Sequence, residues 1–206
     1  MYVLYGTEGS GSAAVEALFD ELDIPFHLEF VARDEHGAFP ASFSAISPLL
    51  QVPVLQLPDG AHITESAAMM IYLADLKPEA RIAPGAADPQ RPHYLRVLLF
   101  LAASTYQASL RIFFSDRYST DQAAAPGIKA AGERDMWRDL SILSSLLGDK
   151  EWFTGAFSAV DIYAAMLSSW CGDLPALVQR EPRLSSHYNR VKARPKAGAA
   201  FARNML

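Results

Sequence analysis

Residues 49–73 read LLQVPVLQLPDGAHITESAAMMIYL, and Pro53 stands where a buried strand should begin. Val54, Leu55 and Leu57 are apolar and strand-prone, and Pro58-Asp59-Gly60 is a turn sequence in which proline presets φ and glycine supplies a left-handed residue. Residues 61–63 return alongside, and a helix starts near residues 64–66. A proline lacks the amide hydrogen that a strand ladder needs, but the first position of a strand tolerates that loss. The stretch is therefore a hairpin followed by a helix, entered through Val52-Pro53.

Outward from this hairpin, the first third of the chain alternates strand and helix signals. Residues 2–5 are a short apolar run ended by GTEGSGS, after which Val15, Leu18, Phe19 and Leu22 fall at helical spacing. Residues 25–31 form a second short strand, and residues 39–43 hold a turn of helix. The order is β-α-β-α-β-β-α, a sheet covered by helices. Residues 77–92, KPEARIAPGAADPQRP, shift to the composition of a surface linker. Beyond them every signal is helical. A long stripe over residues 92–118 carries Leu95, Leu98, Leu99, Ala102 and Tyr106; a second helix spans about 127–147, and a third covers 182–194 before a short tail. Between them, TGAFSAVDIYAAMLSSW places Ser158 and Asp161 three residues apart, as a capping box does, ahead of an almost wholly apolar helix. Such a helix belongs at the centre of a helical domain.

Composition narrows the function. The chain has 206 residues, half of them apolar, so it can bury a sizeable core. Its 18 Lys and Arg against 23 Asp and Glu give a formal charge of -5, with no basic run to follow a phosphate backbone, which excludes nucleic acid as a partner. No apolar run is long enough to span a bilayer, which excludes membrane insertion. Cys171 is the single cysteine and MYVLYGTEG has no leader character, so a reducing, cytoplasmic setting is expected. The five histidines show no metal-ligand spacing, so no metal is expected, and they read as surface residues.

The start of the helix after the hairpin carries chemistry. A helix N-terminus offers free amides and partial positive charge, so Ser66 can hold a carboxylate while Glu65 pairs with an ammonium, the two charges of an α-amino acid. Alone, Thr64-Glu65-Ser66 would be only a helix cap. It follows Val52-Pro53 by one hairpin, however, and together QVPVL, LPDG and ITESAAMMIYL resemble the glutathione-binding half of the glutathione S-transferase superfamily. FTGAFSAVDIY likewise resembles that family's capped buried helix.

The resemblance covers essentially the whole chain and implies α/β plus all-α architecture. It places a thioredoxin-like glutathione-binding domain at residues 1–77, a linker at 78–91 and an all-helical domain at 92–206. It implies that Val52 pairs through its backbone with the cysteinyl part of glutathione, that Pro53 is cis, that Gln51 lies near the ligand, and that Glu65 and Ser66 grip the γ-glutamyl end. His36 would lie near the glycyl end. Tyr106, Phe113 and Phe114 would meet an apolar co-substrate, and the protein would be a homodimer.

The catalytic loop departs from the family pattern. Its members use a Tyr, Ser or Cys at the start of the first helix to favour the glutathione thiolate, the nucleophilic form. Tyr5 matches a strand position rather than that tyrosine. The serine-type position falls on Gly9 and the cysteine-type position on Gly11, leaving Ser10, Ser12 or a backbone amide for the task. The implied function is conjugation of glutathione to small electrophiles; the alternatives are a non-catalytic glutathione-binding protein and an isomerase or peroxidase on the same fold.

Overall fold

The computed structural model describes residues 1–35 and 37–206, which gather into two compact units: residues 1–85 with 192–206, and residues 86–191. The first unit holds β1 (Tyr2–Gly6), α1 (Ser12–Leu22), β2 (Phe26–Phe30), a 3₁₀ turn (Ala41–Ala45), β3 (Val54–Gln56), β4 (His62–Ile63) and α2 (Ser66–Leu76). Its sheet runs in the order β2-β1-β3-β4, with β1 parallel to β2 and antiparallel to β3. The second helix expected from sequence is thus a single 3₁₀ turn, confined between Pro40 and Pro48.

Strand alternation assigns the two faces of the sheet. Tyr5, Val31 and Val54 join Phe39, Phe43, Ile46 and Val52 in one apolar cluster. On the other side, α1 buries Val15, Leu18, Phe19 and Leu22, with Phe19 stacked on Phe26 at 4.5 Å between ring centroids.

The second unit contains α3 (Arg91–Phe100), a π-helical turn (Leu101–Thr105), α4 (Tyr106–Phe113), α5 (Ala125–Leu147), α6 (Ala159–Ser169), α7 (Leu174–Arg180) and α8 (Pro182–Lys192). The single long helix expected over 92–118 is therefore interrupted by the π turn and ends in a 3₁₀ turn at Ser115–Tyr118. Helix α6 is buried along nearly its whole length, and its capping box is formed. His187, expected at the surface, is fully buried because it lies on the inward stripe of α8 with Leu184, Tyr188 and Val191.

The tail after residue 194 is also folded, as α9 (Pro195–Arg203). Pro195 occupies its first turn, where a missing amide costs nothing, and Ala197, Ala200 and Phe201 form its buried side. It packs on α1 within the first unit, held by Arg194 on Glu21 (2.9 and 2.7 Å) and Lys196 on Asp23 (2.7 Å).

Candidate functional site

The sheet register explains how distant segments meet. Tyr5 pairs with Val54 and Leu55 with Ile63. Continued past the last bonded pairs, the same registers bring residue 6 level with residue 53, and residue 53 level with residue 65. The end of β1, the start of β3 and the start of α2 therefore share one end of the sheet, and the loop of residues 7–11 leaves from that end.

Val52-Pro53 is cis. Gln51 before it is held on both sides by one hydroxyl: its amide donates to Ser47 Oγ (3.0 Å), and Ser47 Oγ donates to its carbonyl (2.9 Å). Ser47 is buried and was missed by sequence reasoning; the only signal was a Ser-Pro pair at the end of a turn. Val52 packs against the apolar cluster, and Pro53 is buried.

Glu65 precedes α2 with φ 65° and ψ 101°, a conformation costing on the order of 1–3 kcal/mol for a residue with a Cβ. Its carbonyl accepts from Met69 N (3.0 Å), while its exposed side chain makes no capping hydrogen bond. Ser66 is the first residue of the helix and is mostly buried. The partial positive charge of this helix start favours a negative group close to an exposed carboxylate suited to a positive one.

Loop 7–11 carries the candidate hydroxyls. Ser10 Oγ lies 2.8 Å from Ser12 Oγ and accepts from Ser12 N (3.3 Å), while Ser12 Oγ also donates to the Thr7 carbonyl (3.3 Å). Ser12 is only 2 % exposed, and it presses so closely on Gly6 that a Cβ there would lie 2.6 Å from its hydroxyl. Ser10 is half-buried. Tyr5 spends its hydroxyl on Gln56 Oε1 at 3.0 Å.

In the second unit Tyr106 and Phe113 both meet Trp170 edge-on, at 5.4 and 6.5 Å between centroids. Phe114 turns instead under the Arg117 guanidinium, 4.1 Å from its ring. The Cys171 thiol is buried and donates to the Asp173 carbonyl (3.4 Å); burial pushes its pKa up, away from a reactive thiolate. His36 lies outside the described residues. Among the described residues no His, Cys, Asp or Glu cluster is suited to a metal ion, and no helix is long and apolar enough to cross a membrane.

This mixed sheet with a helical unit after it is the fold of the cytosolic glutathione transferases. A glutathione S-transferase N-terminal domain model matches residues 12–76. An uncharacterized GST-like protein of Escherichia coli (strain K12), YncG, is 26% identical over 210 residues, covering 100% of both chains. The solved structure of a sphingomonad glutathione S-transferase complexed with glutathione has 27% identity and a TM-score of 0.81, over 99% of each chain. A glutathione transferase homolog from Sulfitobacter with bound glutathione has 25% identity and a TM-score of 0.88, over 100% of this chain and 99% of that one. The chain is thus similar over its whole length to glutathione S-transferases, at 25% to 27% identity.

Proposed function

We propose that the chain is a glutathione transferase that conjugates the glutathione thiolate to small, partly apolar electrophiles. The observation carrying this reading is the convergence at one sheet end of the Ser10 loop, the cis Val52-Pro53 bond and the start of α2 with its exposed Glu65. In this reading the Val52 backbone pairs with the cysteinyl unit and Gln51 lies beside it. Glu65 takes the ammonium of the γ-glutamyl end, and Ser66 with the α2 amides takes its carboxylate. Two similar solved structures with bound glutathione support that ligand.

Ser10 is the better donor to the sulfur. Its half-buried hydroxyl is hydrogen-bonded only to Ser12 and donates to the sulfur by turning its proton away from that partner, whereas the Ser12 hydroxyl is buried and donates to the Thr7 carbonyl. A hydroxyl donating to the thiolate favours ionisation; the thiol proton leaves to solvent, the sulfur pair forms the new carbon–sulfur bond, and a halide leaves with its electrons. Tyr106, Phe113 and Phe114 are the proposed contacts for the apolar part of the electrophile. A homodimer in a reducing cytoplasm belongs to the same proposal, and light scattering that finds a monomer at micromolar concentration would remove the dimer.

The test is the pH dependence of conjugation with a generic aryl halide. Ser10→Ala is expected to lower turnover at neutral pH and move the profile upward with glutathione affinity kept. Ser12→Ala is expected to cost about 1 kcal/mol of stability through loss of its buried bond to the Thr7 carbonyl, with the profile unmoved. The second reading, glutathione binding without activation, draws on Gly9 and Gly11 at the positions where relatives carry the catalytic group, and on the mutual bond of the two serines. It wins if wild type and both variants coincide with the spontaneous reaction.

A further inference from the structure

The base of loop 7–11 borders a cleft. Behind it, on the side of α1 and β2, is a cavity of about 240 Å³ lined by Thr7, Glu8, Ser12, Glu16, Phe30 and Asn204, among others. On that side Thr7 and Glu8 face open space rather than packed side chains, so hydrogen bonds and the groups near the loop tip bear on its position. Within the loop Ser10 N donates to the Thr7 carbonyl (3.2 Å), and Gly9 adopts φ 68°. The backbone carbonyl of Asn204 lies near the tip: a Cβ added at Gly9 would come within 3.9 Å of it.

Asn204 is itself anchored to the helix that the loop begins. Its Nδ2 donates to Glu16 Oε2 (2.8 Å) and to the Ala200 carbonyl (3.0 Å), and its amide reaches the Ala200 and Phe201 carbonyls (3.2 and 3.1 Å). Glu16 lies one turn after Ser12 on α1 and is 2 % exposed, and its other oxygen accepts from Arg203 Nε (2.6 Å). A carboxylate is rarely buried on a small-residue helix face unless its partners need it there. At the opposite end of the same helix pair Arg194 meets Glu21 and Lys196 meets Asp23, and Arg203 also reaches Asp20 beside Glu16.

We propose that Glu16 and Asn204 are positioning residues for the Ser10 loop: Glu16 fixes the Asn204 side chain, and Asn204 stops the glycine-flanked loop from falling back into the cavity. This rests on the proposed transferase reading only for its catalytic consequence. The loop's dependence on the brace stands without it.

The experiment compares Asn204→Ala and Glu16→Gln with Arg194→Ala, which weakens the same helix pair at its far end. Amide hydrogen exchange at residues 9–12 is expected to quicken about tenfold in the first two relative to wild type, and to stay unchanged in Arg194→Ala. Equal exchange in all three variants overturns the proposal. The second readout is ultraviolet titration of the thiolate of bound glutathione. Asn204→Ala is expected to move its apparent pKa toward that of a free thiol, about 8.5, with affinity changed less than about twofold, and Arg194→Ala to leave it in place. If wild-type protein does not lower that pKa at all, the transferase reading fails, and the exchange data alone decide the brace.

Discussion

Helix α6 begins with Ser158 and an acid three residues later, and α2 begins with an acid followed by Ser66; from nearly the same residues the two starts are built to opposite ends. In α6 every acceptor site is spent inside the protein. Asp161 takes the Phe153 amide (3.0 Å) and His187 Nε2 (2.9 Å) on one oxygen, and the Ser158 amide and hydroxyl (2.8 Å each) on the other. Ser158, Asp161 and His187 are all buried. In α2 the acid is exposed, makes no capping bond, and sits on a strained backbone. A polar group satisfied by its own chain is scaffold; one held open at a helix start, at a conformational cost, has capacity left for a ligand.

The sharpest way to break this comparison is to remove each acid in turn. Asp161→Ala strands four donors, the buried His187 among them, and is expected to cost on the order of 3–5 kcal/mol. Urea unfolding should show the midpoint falling by a large fraction of the whole stability. A loss under about 1 kcal/mol would mean that water or neighbouring groups replace the carboxylate, and that α6 is not the sealed case.

Glu65→Gln is the converse. It leaves no buried donor behind, so the unfolding midpoint should stay within about 0.5 kcal/mol of wild type. Glutathione binding should weaken by on the order of 2–4 kcal/mol, because the charge opposite the ligand ammonium is gone. Calorimetry showing unchanged affinity in folded protein would move the γ-glutamyl site elsewhere.

The same contrast explains what was legible in the sequence. The hairpin, the helix after it and the capping box of α6 announce themselves through residues close together in the chain: Pro58-Asp59-Gly60, Glu65-Ser66, and Ser158 with Asp161. Hence the hairpin, the helix start at residues 65–66 and the first domain's order were readable. The π turn at Leu101–Thr105 was not, since LAAST continues the apolar stripe with no proline or glycine to mark a break. Helix α9 hid behind small residues and Gly198, and α7 behind its seven-residue length. His187, Ser47 and the Glu16–Asn204 pair were invisible for a different reason. Ser47 serves a neighbour, Gln51, through a turn that no pattern marks, while the others act on partners fixed by the fold, and periodicity carries no information about a contact that spans 188 residues.

The smallest expected effect lies at the other end of the α1–α9 pair and sharpens the comparison from its exposed side. Asp23 is held below the usual carboxylate range by the hydrogen bonds and charge of Lys196, whose Nζ reaches both its oxygens at 2.7 Å. A carboxyl with a depressed folded pKa binds fewer protons folded than unfolded. Its stabilisation is therefore complete above the unfolded value, about 3.9, and is lost as pH falls through the lower folded one. Unlike Asp161, Asp23 is open to water, and salt screens it. Lys196→Ala should then lower Tm by about 1 °C or less at pH 7 and low salt, with the difference fading as the carboxyl protonates in acid or in about 0.5 M salt. Thermal melts across that grid decide it. A drop of several degrees that persists in salt would show the pair to be part of a buried network, and exposure would no longer separate the polar groups that hold this fold from those that do not.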